Sequence, residues 1–195
     1  MWKTCQESAS IKLLRQLQTV RPALTTEAAK TLVHSFILCR VDYCNSVLSG
    51  VSAVHRHPLQ SVLNSAARLV TRKRKYDHIS AAMYDELHWL PAEHRIQYKV
   101  CTLVYKCLHS AAPRYLTEMF THVTEVAGRR HLRSAAHGDL AIPRTRTIRY
   151  GPRAFTVAGP QNWNSLSLDT RVFSLYLRQF CSRLKTELFR SIDRS

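Results

Sequence analysis

The chain has 195 residues, 45% of them hydrophobic and 22% charged with only 5 Gly, a composition that excludes a disordered or fibrous polymer and allows one domain or two small ones. Its 29 basic residues against 13 acidic ones give a formal charge of +16 and a pI near 10.1. Such self-repulsion is most simply offset by an anionic partner, nucleic acid or an acidic lipid surface.

No run approaches the roughly 18 apolar residues of a membrane span, and Met1-Trp2-Lys3-Thr4-Cys5 leads into polar sequence without a signal core. The expected compartment is the cytosol or nucleus, with no membrane partner and with the 6 Cys as reduced thiols.

Helical periodicity dominates the first two thirds. Thr25 and Thr26 can cap a helix with Glu27 in its first turn, Leu32, Val33, Phe36, Ile37 and Val41 along one side, and Gly50 as its stop. Pro58 suits the first position of the next, where Leu59, Val62, Leu63, Ala66, Leu69 and Val70 recur at spacings of three and four. A short helix follows from Ser80 through Met83 and Leu87. Pro91 then opens another, striped with Ile96, Val100, Leu103, Val104, Cys107 and Leu108 and ending near His109, because Pro113 blocks continuation. Leu87, Trp89, Ile96, Val100 and Leu103 are expected to share a core, with Trp89 and Trp163 as large apolar anchors.

After Gly128 the pattern changes. Residues 129–153 carry Arg129, Arg130, Arg133, Arg144, Arg146, Arg149 and Arg153, interrupted by Gly138, Pro143 and Gly151, with β-compatible runs at residues 140–142 and 147–150. This reads as an Arg-rich hairpin or loop. Residues 154–163 read as a short helix broken near Gly159-Pro160. Ser174 can cap a final helix with Leu177, Phe180, Cys181, Leu184 and Leu188 on one face and Arg178, Arg183, Lys185 and Arg190 on the other. The expected fold is mainly α: a helical unit over residues 1–71, a basic linker at 72–75, and a helical domain over 76–195.

Two basic clusters stand out. Arg72-Lys73-Arg74-Lys75, with Arg68 one turn back, concentrates positive potential where phosphates can release counterions, and it also has the composition of a nuclear localisation patch. Arg144, Arg146 and Arg149, with Tyr150 and Phe155 interleaved, suit unpaired strands, because guanidinium forks take phosphate while exposed rings can stack on bases. The competing reading makes Tyr150 and Phe155 core residues. Together Arg68, Arg72, Lys73, Arg74, Lys75, Arg144, Arg146 and Arg149 are the expected nucleic-acid contacts.

Other chemistry finds no template. No Cys-x-x-Cys pair supports a zinc site, Cys107 lies on an apolar stripe where burial raises a thiol's pKa, and no Gly-x-Ser-x-Gly elbow or glycine-rich phosphate loop occurs. No cofactor, metal or small-molecule substrate is expected.

Several strings nonetheless match a known pattern: residues 29–35, Arg40-Val41-Asp42-Tyr43-Cys44-Asn45-Ser46, Leu59-Gln60 through Val70, Tyr76-Asp77-His78-Ile79, Leu87-His88-Trp89-Leu90-Pro91, Arg95-Ile96-Gln97-Tyr98-Lys99, residues 105–109, Ala112-Pro113-Arg114-Tyr115-Leu116, residues 142–146, residues 150–155, Trp163-Asn164-Ser165-Leu166 and residues 180–185. Over roughly residues 20–190 the chain resembles the thumb-like and C-terminal segment that follows the reverse transcriptase domain in non-long-terminal-repeat, jockey-like retrotransposon polyproteins. That resemblance implies a fragment that grips RNA or single-stranded DNA backbone, with a palm domain as partner in the full-length element. Polymerase activity is not expected of the chain itself. Two-metal phosphoryl transfer needs paired palm carboxylates, the Tyr-x-Asp-Asp signature is absent, and Asp85-Glu86 reads as a solvated helix face. The alternative is a non-catalytic helical protein-interaction module, or a translated remnant without function.

Overall fold

The computed structural model describes residues 2–126, 137–148 and 150–192, with side chains from Ala9 onward. The protein is mainly α-helical. It divides into two compact units, one of residues 1–45 and 51–95, the other of residues 46–50 and 96–195. The basic run at residues 72–75, expected as a linker, thus falls inside the first unit, which continues to Arg95.

The first unit contains α1 (Trp2–Val20), α2 (Thr26–Val33), α3 (Cys39–Asp42) and α4 (Ala53–Thr71), with α1 and α2 packed against α4. Helix α1 escaped the sequence reading because its mixed polar composition carries only a weak apolar stripe; Leu14 is buried where it meets the rest of the unit. Thr25 caps α2 as expected, accepting from the Ala28 amide at 3.2 Å.

Between α2 and α3 the backbone widens into a π turn, His34–Leu38. The i→i+5 bonding of that turn brings residues four apart onto one side, so Ala29, Val33, Ile37 and Val41 are buried and Phe36, expected in the stripe, is exposed. The regular helix ends at Asp42, before Gly50. Helix α4 starts at Ala53, five residues ahead of the start expected at Pro58, and tolerates Pro58 because only one ladder bond is lost, at the exposed Val54. Its buried face is Leu59, Val62, Leu63, Ala66, Ala67 and Val70.

A second π turn, Ala82–Glu86, buries Ala82 and Met83 and leaves Asp85 and Glu86 exposed. Trp89 is half-buried, as are Leu87 and Leu103, so the expected shared core holds fully only for Ile96 and Val100. The cause for Trp89 is local: His88 takes a left-handed φ of 51°, and the Trp89 amide bonds back to the Met83 carbonyl at 2.8 Å, which fixes the ring on an irregular turn.

Helix α5 (Ala92–Leu108) follows Pro91 as expected. It stops through Ser110 at φ 54°, with the Ala111 amide donating to the Lys106 carbonyl at 2.8 Å, a Schellman closure made without glycine. In the second unit come α6 (Arg114–Thr117), α7 (Phe155–Asn164) and α8 (Leu177–Ile192).

Helix α7 is continuous through Pro160, contrary to the expected break, because proline in the second turn forfeits a single bond. Gly159 is required there: a Cβ would stand 2.7 Å from Phe120 Cε1 and 3.1 Å from Val104 Cγ2. Helix α8 begins at Leu177, three residues after the expected cap, where Gln179 Oε1 accepts from the Tyr176 amide at 3.1 Å. Phe180, Leu184 and Leu188 are its buried face.

The core of this unit contains a column of rings. Trp163 stacks on Phe180 with centroids 5.7 Å apart, Phe180 on Tyr105 at 4.4 Å, Tyr105 on His109 at 4.0 Å and His109 on Phe173 at 4.3 Å, all within 28° of parallel. No strand forms among the described residues. The β-compatible runs at residues 140–142 and 147–148 form no strand, in keeping with the loop alternative; Leu140 instead makes one antiparallel bridge to His122, outside the expected hairpin, and Asn164 accepts from the Leu140 amide and donates to its carbonyl, both at 2.9 Å. Residues 129–136 and Arg149 of the expected hairpin lie outside the described residues.

Candidate nucleic-acid interface

Four of the expected contact residues gather where α4 ends. Arg68, Arg72, Lys73 and Lys75 line a groove of about 630 Å³ together with Arg21 and the apolar Leu14, Pro22 and Leu69. Arg74, expected among them, does not line it; its amide donates to Asp77 Oδ2 at 2.7 Å, which turns the backbone between Lys73 and Asp77. Arg72 closes α4 with a left-handed φ of 56°.

The free charge differs from residue to residue. Lys73 pairs with Glu86 at 3.3 Å. Arg68 donates only weakly, to the Asp77 carbonyl at 3.4 Å, and its buried Nε has no partner. Arg72 reaches the Leu24 carbonyl at 3.4 Å, and the Lys75 ammonium lies 5.5 Å from the Tyr76 ring centroid. Among the described residues, none of Arg68, Arg72, Arg74 and Lys75 forms an ion pair.

Arg21 is the residue that sequence reasoning missed. It is 6% exposed, and its fork donates to Leu69 O at 2.7 Å, Val70 O at 2.8 Å and Leu24 O at 2.8 Å. Two of those carbonyls belong to the last turn of α4, where backbone acceptors lack helical partners and the dipole is negative. Burial, and secondarily the charge of Arg72, pull the Arg21 pKa down, yet a guanidinium stays protonated. By covering the carbonyl end of α4 it offsets the negative end of that helix's dipole, which would otherwise oppose phosphate beside the other cations of the groove. An Arg-Pro pair after an unremarked helix carries no local signal for this, since two of its three partners, those in α4, are 48 and 49 residues away.

The second cluster is dispersed. Arg144 and Arg146 are exposed on an irregular segment of the second unit, and Arg149 lies outside the described residues. Tyr150 is exposed, with Arg153 5.9 Å from its ring centroid, so the core reading fails for it. Phe155 is half-buried and packs edge-on against Phe120 at 5.1 Å, in keeping with a packing role.

Polar residues within the segments that carry the resemblance have structural partners. Asp42 takes a bidentate pair from Arg95 at 2.9 and 2.8 Å, and Gln60 Oε1 caps α5 by accepting from the Ala92 amide at 2.8 Å. Trp163 and Leu166 are buried. Burial raises the pKa of Cys101 and Cys107, which leaves both as thiols at neutral pH. Among the described residues no group of three His, Cys, Asp or Glu could hold a metal ion, and no helix is long and apolar enough to cross a membrane. No family model, no curated protein and no solved structure matches the chain.

Proposed function

We propose that the protein binds single-stranded RNA or DNA through backbone phosphates, as a fragment resembling the post-palm segment of a non-long-terminal-repeat reverse transcriptase and without polymerase activity of its own. The observation that carries the reading is the groove at the end of α4, where Arg21, Arg68, Arg72, Lys73 and Lys75 converge and, among the described residues, only Lys73 has an acidic partner. Phosphate oxygens would replace the absent counter-charges, and the apolar floor of Leu14, Pro22 and Leu69 lowers the local dielectric and strengthens each pairing. Arg144 and Arg146, exposed on the second unit, would make phosphate contacts of their own.

The test is binding of a labelled single-stranded oligonucleotide across a salt series. About four to six neutralised phosphates give a slope of log affinity against log salt of about −3 to −4, at roughly −0.7 per contact. Converting Arg72, Lys73, Arg74 and Lys75 to Ala should flatten that slope and weaken all sequences alike. Affinity indifferent to salt, or a quadruple variant that binds like the parent, overturns the assignment.

A further inference from the structure

The ring column of the second unit runs from the core to the surface. Trp163, Phe180 and Tyr105 are buried, His109 is half-buried, and Phe173 is 66% exposed although its ring lies 4.3 Å from the imidazole and 21° from parallel. One face of Phe173 is thus covered and the other is open. The backbone beside it is fixed: Leu175 is buried, and the Tyr105 hydroxyl donates to its carbonyl. Tyr176, three residues on, is 78% exposed.

A phenyl ring this exposed gains little for the fold, and the ordering of its backbone and inner face means that little entropy is left to lose on binding. The surroundings select the partner. Between Asp169 and Glu187 the sequence contains Arg171, Arg178, Arg183 and Lys185 and no acidic residue. Arg171 is held by Asp139, Arg183 donates to the Asp169 carbonyl at 2.8 Å and the Lys185 ammonium lies 5.7 Å from the Phe189 ring centroid, whereas Arg178, nearest to Tyr176 in sequence, is exposed. An apolar protein partner would gain nothing from this surplus of cations, but a polyanion that also carries flat rings would use both features.

We propose that the open face of Phe173 stacks a nucleobase of single-stranded nucleic acid, with Tyr176 available to the adjacent base and Arg178 to the intervening phosphate. The inference rests on the nucleic-acid reading and adds base recognition by stacking, sequence-tolerant because every base has a π face.

The experiment compares an oligothymidylate with an abasic deoxyribose-phosphate strand of the same length, using the full chain and its Phe173→Ala, Phe173→Leu and Phe173→Trp variants. The parent should bind the base-bearing strand more tightly. Phe173→Ala and Phe173→Leu should lose on the order of 5- to 100-fold on that strand, with abasic binding and the salt slope unchanged, and Phe173→Trp should retain affinity. Because Phe173 is exposed, the variants should melt like the parent. Equal losses on both strands, or a Phe173→Ala variant that binds both like the parent, would sink the stacking assignment while leaving phosphate binding intact. A variant altered only in self-association in sedimentation would make this face a protein contact instead. A parent that binds neither strand refutes the nucleic-acid reading itself.

Discussion

Replacing Arg21 tests whether the carbonyl end of α4 depends on a buried cation. Three charge-assisted hydrogen bonds of 2.7–2.8 Å would be lost, and each such bond contributes about 1.5–3 kcal/mol net when intact. The full sum is not expected, because water entering from the groove can satisfy part of the exposed acceptors once the side chain is removed. Arg21→Ala should destabilise by about 2–4 kcal/mol. Arg21→Lys keeps the charge but not the planar fork, so it should recover only part of that, leaving a loss of about 1–2 kcal/mol. Urea unfolding followed by circular dichroism reads both, with the midpoint shifting at constant slope if the native fold is kept. An Arg21→Ala variant within about 0.5 kcal/mol of the parent, the range of ordinary surface substitutions, would refute the capping argument, as would a lysine variant indistinguishable from the parent.

Gly159→Ala sets helix propensity, a gain of up to about 1 kcal/mol, against a Cβ placed 2.7 Å from Phe120 and 3.1 Å from Val104, an overpacking cost of about 1–3 kcal/mol. The variant should melt below the parent and Gly159→Val lower still; a stabilised alanine variant would show that Phe120 yields freely. Burial holds His94 and His109 below the usual histidine pKa, outweighing in His94 the opposing pull of Glu93. The unfolded chain therefore binds more protons than the native one, so stability should be full above pH ~6.5 and fall as pH drops through the lowered native values. His109→Phe, which preserves the ring column, should flatten that pH dependence in thermal melts; an unchanged profile would discount His109. Purified protein given primer, template, nucleotides and magnesium should extend nothing, and template-dependent incorporation would end the reading of a fragment without a palm.

The mainly helical class, the stripes of α4, α5 and α8 and the solvated Asp85-Glu86 pair were legible in sequence, because amphipathic periodicity is a local property that burial only ratifies. The run from Arg72 to Lys75 was legible as charge, but its geometry was not: Arg74 sits in a turn held by Asp77 and does not line the groove, Glu86 takes Lys73, and Arg21 arrives from 48 residues up the chain to cover the end of α4. The π turns also escaped, since a five-residue bonding step leaves no mark on a pattern read at 3.6 residues per turn; Phe36 was misplaced for that reason. The proline positions in α4 and α7 were misread as boundaries because proline's local cost is small in a second turn that tertiary packing already holds. The ring column could not have been found in advance. Its five rings are spread over residues 105–180, and only packing decides that four of them support an exposed fifth. Local periodicity and charge are properties of neighbours in sequence, whereas a cap, a groove and a stacking face are made by residues that meet only when the chain has closed loops of tens of residues.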